Sequence, residues 1–181
     1  MDKIVIKGKT FKPYIKNERI EQVVGEIAER LNKDYLNCGE IPVFVCVLNG
    51  AIVFTGSLLK KINFPCELCS IKVTSYQGTQ STGTVLNVLG LTSDVRGRRV
   101  IICEDIVDTG NTIVALRDMM LDKGVKDVKI CTLLLKPEIY DKDVHLDYVG
   151  MEIPNDFIVG YGLDYDEVGR NGGDIYVIDN D

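Results

Sequence analysis

The chain has 181 residues, of which 45% are hydrophobic and 27% charged, and its formal net charge is −6 at pH 7. This length fits one compact domain with a substantial core and at most a small flap or hood, and the composition excludes disordered and fibrous classes. Because proteins that grip a phosphate backbone usually carry a basic surface, the acidic balance predicts no nucleic acid partner.

The amino terminus lacks the apolar core of a signal peptide, and no apolar run approaches the ~20 residues that span a bilayer. We therefore expect a cytoplasmic protein with no membrane partner. Most of the six cysteines lie in apolar, strand-like runs, which is typical of buried thiols. Cys66 and Cys69 form one C-x-x-C pair, but His145 is the only histidine, so a metal or redox role for the pair is a weak hypothesis.

The first half of the chain alternates between helical and strand-like hydrophobic patterns. Apolar residues at helical spacing predict a helix over residues 18–33. The apolar run 42–48 predicts a strand buried on both faces, followed by a short helix over 51–61. A strand over 67–75 then leads into the polar stretch 76–83, which we expect to be a mobile loop.

The second half predicts one helix, over 111–123, and four strands, at 99–103, 128–135, 157–159 and 175–178. Strands separated by helix-length segments predict an α/β fold with a doubly wound, mostly parallel sheet flanked by helices. Ligands bind such sheets beyond the carboxyl ends of the strands, where the strand order switches. The loops that follow the strands are therefore where we expect the functional residues.

The segment 100–112 carries the most specific pattern in the chain. A buried strand ends in Glu104 and Asp105, Asp108 follows, and a short loop opens a helix through Thr109, Gly110, Asn111 and Thr112. Free N–H groups at a helix start, with the helix dipole and two hydroxyls, can hold a phosphate monoester without a lysine. Two adjacent carboxylates suit the vicinal diol of a ribose. The pattern therefore indicates a site for a sugar phosphate.

Three other interpretations of this chemistry are weaker. Asp108 or Thr109 could simply cap the helix, but capping does not require three carboxylates at the end of an apolar strand. The G-x-x-x-x-G-K-[ST] pattern of a P-loop is absent from the chain. The pattern from Asp164 to Gly169 resembles half of a calcium loop, but Ile175 occupies the position that needs a bidentate glutamate.

The segment 100–112 resembles the phosphoribosyl pyrophosphate signature of type I phosphoribosyltransferases. Four further motifs resemble the hypoxanthine-guanine branch of that family: Val47-Leu48-Asn49-Gly50-Ala51, Ser75-Tyr76 with Ser81-Thr82-Gly83, Leu134-Leu135-Lys136, and residues 156–165 with Arg170. They occur in the family's order and spacing over roughly three quarters of the chain, which makes chance agreement remote.

The resemblance implies a single phosphoribosyltransferase domain over residues 1–181, with a small hood from the amino-terminal segment and residues from about 150 to 181. It implies transfer of phosphoribose from phosphoribosyl pyrophosphate to a 6-oxopurine base. Mg²⁺ is the implied cofactor, and a homodimer or homotetramer is the implied assembly.

The resemblance also implies a role for each site residue. Asp108 is the implied general base at N7 of the purine, and residues 109–112 hold the 5-phosphate. Glu104 and Asp105 hold the ribose and magnesium, and a second ion lies near Asp164. The remaining implied residues are Leu48, Asn49, Gly50 and Arg170 for pyrophosphate, Ser75 and Tyr76 for the closing lid, and Lys136, Phe157, Ile158 and Asp164 for the purine.

Several of these residues have ordinary structural alternatives. Lys136 could be an exposed terminal cation, Phe157 a core residue, and Arg170 a solvated charge. The loop 76–83 could be a plain surface loop. The chain departs from the family at Asn49, where a lysine or arginine is common; the loop would then rely on backbone N–H groups, through an unusual cis peptide.

Two alternative functions stay open on the sequence. The first is a phosphoribosyltransferase that prefers xanthine, since the pocket residues do not separate guanine from xanthine. The second is a regulator that keeps the nucleotide-binding fold but binds RNA. The acidic charge, together with Asp108, Lys136 and Arg170, argues against the regulator.

Overall fold

The computed structural model describes residues 2–76 and 85–179. Its elements are β1 (Ile4–Ile6), β2 (Lys9–Ile15), α1 (Asn17–Tyr35), β3 (Val43–Leu48), α2 (Ile52–Leu59), β4 (Glu67–Tyr76), β5 (Val85–Leu89), β6 (Arg99–Val107), α3 (Asn111–Asp122), β7 (Asp127–Leu135), β8 (Tyr148–Glu152), β9 (Ile158–Val159) and β10 (Ile175–Ile178). No helix among these residues is long and apolar enough to cross a membrane.

The main sheet has the strand order β5-β4-β3-β6-β7-β8. All its neighbours pair in parallel except β4 and β5, which form an antiparallel edge, so the predicted mostly parallel α/β sheet is confirmed. From β3 the chain moves outward to β4, whereas from β6 it moves outward in the other direction to β7. The strand order therefore switches between Leu48 and Val107, where a ligand crevice is expected.

Helices cover both faces of the main sheet, because its central strands are apolar on both sides. Phe44 and Ile101 pack in one cluster with the buried faces of α1 and α2. Val45 and Ile102, one residue further along each strand, pack in a second cluster with Ile113 and Leu116 of α3. This alternation is what the period of two in a strand requires.

A second, antiparallel sheet has the order β1-β2-β10-β9 and joins the two ends of the chain. Its small core is formed by Ile6, Phe11 and Val159. The strands predicted at 157–159 and 175–178 belong to this sheet, so they do not extend the parallel one. Their short apolar runs could not reveal this, because Ile175 of β10 pairs with the distant Ile15 of β2, and β9 joins the sheet by pairing with β10.

The hydrophobic pattern does not predict four of the described strands, and it predicts a fifth strand, β6, too short. β1, β2, β5 and β8 were not predicted; β2, for example, contains Lys9, Lys12 and Pro13, and only its Phe11 is buried. β6 continues to Val107, so Glu104 and Asp105 lie within the strand rather than at its end. Backbone pairing of Glu104 with Thr132 and of Ile106 with Leu134 extends the strand regardless of the polar side chains.

Candidate active site

Predicted residues on β6, in the loop after β3 and after the end of β7 lie at the carboxyl ends of these strands, and the loop 160–170 contacts the loop after β3. Two glycines bring the loops together. A Cβ on Gly50 would overlap the carboxylate of Asp105, and a Cβ on Gly162 would overlap the carbonyl oxygen of Gly50. The loop after β3, the acidic strand β6 and the loop 160–170 are therefore in direct contact.

Glu104 and Asp105 are carboxyl groups in an apolar setting. Glu104 is buried and its Oε2 atom has no hydrogen-bond partner within the described structure. Burial, followed by the charge of Asp105, raises the pKa of Glu104 well above its usual range. Burial also raises the pKa of Asp105 to about 6, although its Oδ1 accepts a hydrogen bond of 3.0 Å from the N–H of Ile106. Buried carboxyl groups of this kind are stabilised by a cation or by hydroxyl donors. A metal ion would supply the cation, and a sugar would supply the hydroxyls.

The carboxylates of Glu104 and Asp105 fit a magnesium ion whose other ligands come from a substrate and water rather than from the protein. No group of three or more histidine, cysteine or acidic side chains in the described part of the chain is close enough to hold a metal by itself. Magnesium commonly uses one or two protein carboxylates and takes its other oxygens from phosphates and water. The unpartnered Glu104 oxygen beside Asp105 matches that requirement.

Asp164, the third predicted metal residue, lies in a different charge environment. Its Oδ1 pairs with Arg170 at 2.8 Å, and its Oδ2 accepts a hydrogen bond of 2.7 Å from the N–H of Glu167. Arg170 also donates to the carbonyl of Gly162 at 2.9 Å and pairs with Glu167. The half-buried guanidinium therefore organises the loop 160–170, and the alternative of a solvated charge is wrong.

The start of α3 forms a small cavity of about 70 Å³, lined by Glu104 and residues 106–113. Gly110 is the residue before the helix, with φ of 81°, and no side chain caps the helix. No acidic residue lies in the first turn, so the amino end of the helix is electrostatically open to an anion. The alternative in which Asp108 or Thr109 caps this helix is therefore not what the structure shows.

Asp108 and Lys136 lie side by side at the ends of β6 and β7. The Asp108 carboxylate is half-exposed, and its Oδ2 lies 3.6 Å from the Nζ of Lys136. Lys136 is buried, its Nζ donates to Oδ1 of Asn155 at 3.2 Å, and its backbone N–H donates to Val107. Lys136 is therefore not an exposed cation, because its ammonium is fixed beside Asp108.

Phe157 directly precedes β9 in the second sheet, and its carbonyl accepts a hydrogen bond from the N–H of Ile178 in β10. The residue is 45% exposed, so the alternative of a core residue does not hold. Tyr165 meets it edge-on with a centroid distance of 5.7 Å, and Phe11 lies 6.3 Å away. The neighbouring Ile158 is buried. The partly exposed ring of Phe157 is therefore held in place by its contacts with Tyr165 and Phe11.

The remaining predicted residues have mixed outcomes. The Leu48–Asn49 peptide is cis, as the resemblance implied. Ser75 and Tyr76 end β4, whereas residues 77–84 of the predicted lid lie outside the described residues. Cys66 and Cys69 are free thiols, which gives no support to a metal or redox site.

Two contacts of the site were not anticipated from the sequence. Asn155 accepts the hydrogen bond from Lys136, and Tyr165 supports Phe157. Asn155 directly precedes the motif at 156–165 and Tyr165 is its last residue, and that proximity in sequence was the only available signal. A larger cleft of about 460 Å³ lies near the amino ends of β6 and β7, away from the candidate site. Charged residues such as Arg30, Asp34 and Asp147 line this cleft, and they already bond to other protein groups.

Known proteins resemble this chain in sequence and in fold. Residues 12–166 match the model of the phosphoribosyl transferase domain family. The hypoxanthine-guanine phosphoribosyltransferase of Streptococcus thermophilus (strain CNRZ 1066) is 46% identical over 147 residues, which cover 81% of each chain. The protein of that name from Aquifex aeolicus (strain VF5) is 36% identical over 176 residues, covering 97% of this chain and 98% of the relative.

Solved structures show the same likeness. The hypoxanthine phosphoribosyltransferase of Staphylococcus aureus superposes with a TM-score of 0.82 at 34% identity, covering 93% of this chain and 91% of that one. The Trypanosoma cruzi hypoxanthine phosphoribosyl transferase superposes with a TM-score of 0.86 at 33% identity, with the same coverage.

Proposed function

The chain belongs to the phosphoribosyl transferase domain family, and from its hypoxanthine-guanine relatives we propose that it is a purine salvage enzyme. It transfers the 5-phosphoribosyl group of phosphoribosyl pyrophosphate to N9 of hypoxanthine or guanine, giving IMP or GMP and pyrophosphate. The observation that carries this proposal is the acidic strand β6 opening into the uncapped helix α3, with Lys136 fixed beside Asp108.

The sugar phosphate lies along β6 and the start of α3. Residues 109–112 bind the 5-phosphate through backbone N–H groups and hydroxyls, because the amino end of α3 has no side-chain cap. Glu104 and Asp105 accept hydrogen bonds from the ribose hydroxyls, which supply the partner that the Glu104 carboxyl lacks.

The purine base lies between Phe157 and the ends of β6 and β7. The ring of Phe157 stacks on the base, and backbone groups of Ile158 and Asp164 read its edge. The ammonium of Lys136, which donates to Asn155 in the structure, is proposed to donate to the 6-oxo group of the bound base. Since an ammonium has donors and no acceptor, a 6-amino group meets only another donor, which disfavours adenine.

Asp108 acts as the general base in the transfer. As N9 of the purine forms its bond to the anomeric carbon, the bond from that carbon to pyrophosphate breaks, and Asp108 accepts the proton from N7. The carbon inverts, and the acidic groups of β6 stabilise the positive charge that develops on the ribosyl ring. Backbone groups of residues 48–50 and the side chain of Arg170 bind the pyrophosphate that leaves.

Magnesium is the proposed cofactor, held by Glu104 and Asp105 with a second ion near Asp164. When bound, it neutralises the charge of pyrophosphate and orients the ribose hydroxyls. We also propose that Ser75 and Tyr76, at the end of β4, belong to a lid that shields the substrates, because a ribosyl cation exposed to water would be hydrolysed. We further propose a homodimer or homotetramer as the assembly.

The direct test is to mix the protein with magnesium, phosphoribosyl pyrophosphate and one purine, and to follow nucleotide formation by ultraviolet absorbance. We expect turnover with hypoxanthine and guanine and little with adenine. Xanthine in a parallel reaction decides between the two enzymatic hypotheses, and a several-fold preference for xanthine would refute the assignment. No nucleotide with any of the four bases would refute the activity itself.

A further inference from the structure

The predicted 5-phosphate pocket has donors for hydrogen bonds but no positive side chain. Its lining, Glu104 and residues 106–113, includes two carboxylates and no lysine or arginine. A phosphate monoester carries a charge of about −1.5 to −2 at pH 7. The buried Glu104 carboxyl lines the same cavity, and its Oε2 atom has no hydrogen-bond partner in the described structure, so a polar group of a ligand can bond to it. A bound sugar phosphate would face acidic groups without a cation from the loop.

The segment 140–144 packs against this loop at Gly110. A Cβ on Gly110 would lie 2.5 Å from Cε2 of Tyr140 and 2.9 Å from Cγ of Lys142. The hydroxyl of Tyr140 donates to the carbonyl of Val144 at 2.5 Å, which closes the segment into a turn. The N–H of Tyr140 donates to the carbonyl of Lys136, which anchors the turn to the end of β7. The aliphatic stem of Lys142 is thereby held against the residue that precedes α3.

The ammonium of Lys142 pairs with a carboxylate that is largely exposed to solvent. It pairs with Asp141, its neighbour in sequence, whose side chain is 73% exposed, whereas that of Lys142 is 27% exposed. Exposed ion pairs contribute little to stability, so the ammonium can exchange this partner for a stronger one. Three bonds beyond Cγ, each of roughly 1.5 Å, give the ammonium a reach of about 4 Å from the Gly110 contact.

We propose that Lys142 is a further binding residue, whose ammonium turns from Asp141 to the 5-phosphate of the sugar phosphate at the start of α3. This inference rests on the proposed function, because it takes the 5-phosphate of phosphoribosyl pyrophosphate, and of the nucleotide product, as its ligand. A lysine acts there as a mobile point charge that supplements the fixed backbone donors. Because both substrate and product carry this phosphate, Lys142 contributes to binding rather than to the chemical step.

The experiment compares two ligands that differ only in this phosphate. Isothermal titration calorimetry with magnesium present measures the Kd of IMP and of inosine for the wild type and for Lys142→Met. We expect the variant to bind IMP about tenfold more weakly, the order expected for a charged hydrogen bond, and to bind inosine as the wild type does. The KM for phosphoribosyl pyrophosphate should rise by a similar factor, more than kcat falls.

Two control variants and one further test variant complete the experiment. Lys142→Arg keeps the charge and should bind IMP within about threefold of the wild type. Lys123→Met removes a lysine at the other end of α3, about 18 Å away along a 12-residue helix, and should change neither Kd. Asp141→Asn removes the competing carboxylate and should tighten IMP binding about twofold without affecting inosine.

The outcomes separate this inference from the proposed function. An unchanged Kd for IMP in Lys142→Met, or an equal weakening of IMP and inosine, would overturn the role of Lys142 even in an active enzyme. If Lys142→Met does not fold, Asp141→Asn decides, and looser or unchanged IMP binding in that variant counts against the proposal. If the wild type forms no nucleotide, the proposed function has failed, whereas the contrast between IMP and inosine still tests Lys142.

Discussion

In the proposed mechanism, the chemical step depends on Asp108 as the general base. Its carboxylate is half-exposed at the mouth of the site and lies 3.6 Å from the ammonium of Lys136, so it can reach a base held by that lysine. Asp108→Asn keeps the size of the side chain but cannot accept a proton. We expect kcat to fall by about a hundredfold or more, with a change of less than about threefold in the KM for phosphoribosyl pyrophosphate. Steady-state kinetics at saturating hypoxanthine measure both constants, and equal losses in the two would contradict the general-base role.

Lys136 is the residue expected to make the site select against adenine. Its buried ammonium donates to Asn155 at 3.2 Å and would be left with another donor opposite a 6-amino group. An unpaired buried group costs about 1–3 kcal/mol, so Lys136→Gln should reduce the preference for hypoxanthine over adenine by about tenfold. The ratio of kcat/KM for the two bases measures this preference. An unchanged ratio would mean that backbone groups near Ile158 read the sixth position of the ring.

At the scale of single residues, the sequence predicted which types of residue belong to the candidate site, but not which side chains contact one another. Three carboxylates beside a helix start indicated a sugar phosphate, because few other ligands need that set of donors and acceptors. The partners that fix Lys136 were hidden, since Asn155 lies 19 positions away and only the fold brings it near. The burial of Lys136 likewise depends on strands β6 and β7 ending together.

At the scale of elements, loop 160–170 depends on the close contact of Gly162 with the loop after β3. Gly162 has φ of 102°, and a Cβ there would overlap the carbonyl of Gly50. Gly162→Ala should therefore displace Arg170 and Asp164 from the site, lower the free energy of unfolding by about 1–3 kcal/mol, and raise the KM for phosphoribosyl pyrophosphate at least severalfold. Urea unfolding and steady-state kinetics measure the two effects.

Gly25 in α1 provides the matched control for that substitution. A Cβ there has no neighbour within 4 Å, and the residue is helical. Gly25→Ala should raise the free energy of unfolding by about 0.5–1 kcal/mol and leave the kinetic constants unchanged. If Gly162→Ala behaved in the same way, the contact with Gly50 would have no role in shaping the site.

Elements with a strong hydrophobic period were predicted to within a few residues. The helix expected over 18–33 is α1, Asn17–Tyr35, and the strand expected over 128–135 is β7, Asp127–Leu135. β2 and β8 were missed because each buries few residues, so neither has a complete apolar face to recognise. β6 was predicted too short because its last four residues include two carboxylates, which the period alone assigns to a loop.

At the scale of the whole molecule, the second sheet is attached to the main body through α1. The backbone N–H of Asn17 donates to Asp174 at 2.7 Å, and its side chain donates to the carbonyl of Gly173 at 2.9 Å. Tyr161 reaches α1 from the same loop and donates its hydroxyl to Glu21 at 2.8 Å. This attachment could not be predicted from the sequence, because it joins polar residues about 140 to 157 positions apart, and no periodic pattern signals such pairs.

Tyr161→Phe tests whether this attachment supports the site. The ring is buried at a φ of 51°, and the hydroxyl bonds Glu21, which also pairs with Lys61 at 3.3 Å. Removing a hydrogen bond to a charged group should lower the free energy of unfolding in urea by about 1.5–3 kcal/mol, with an unchanged m-value. Because Gly162 and Asp164 follow directly in the chain, the KM for phosphoribosyl pyrophosphate should also rise.

Tyr14→Phe, at a partly exposed position in β2, should change stability by less than about 0.5 kcal/mol. Equal unfolding midpoints for the two variants would show that the Tyr161 hydroxyl does not hold the second sheet to α1.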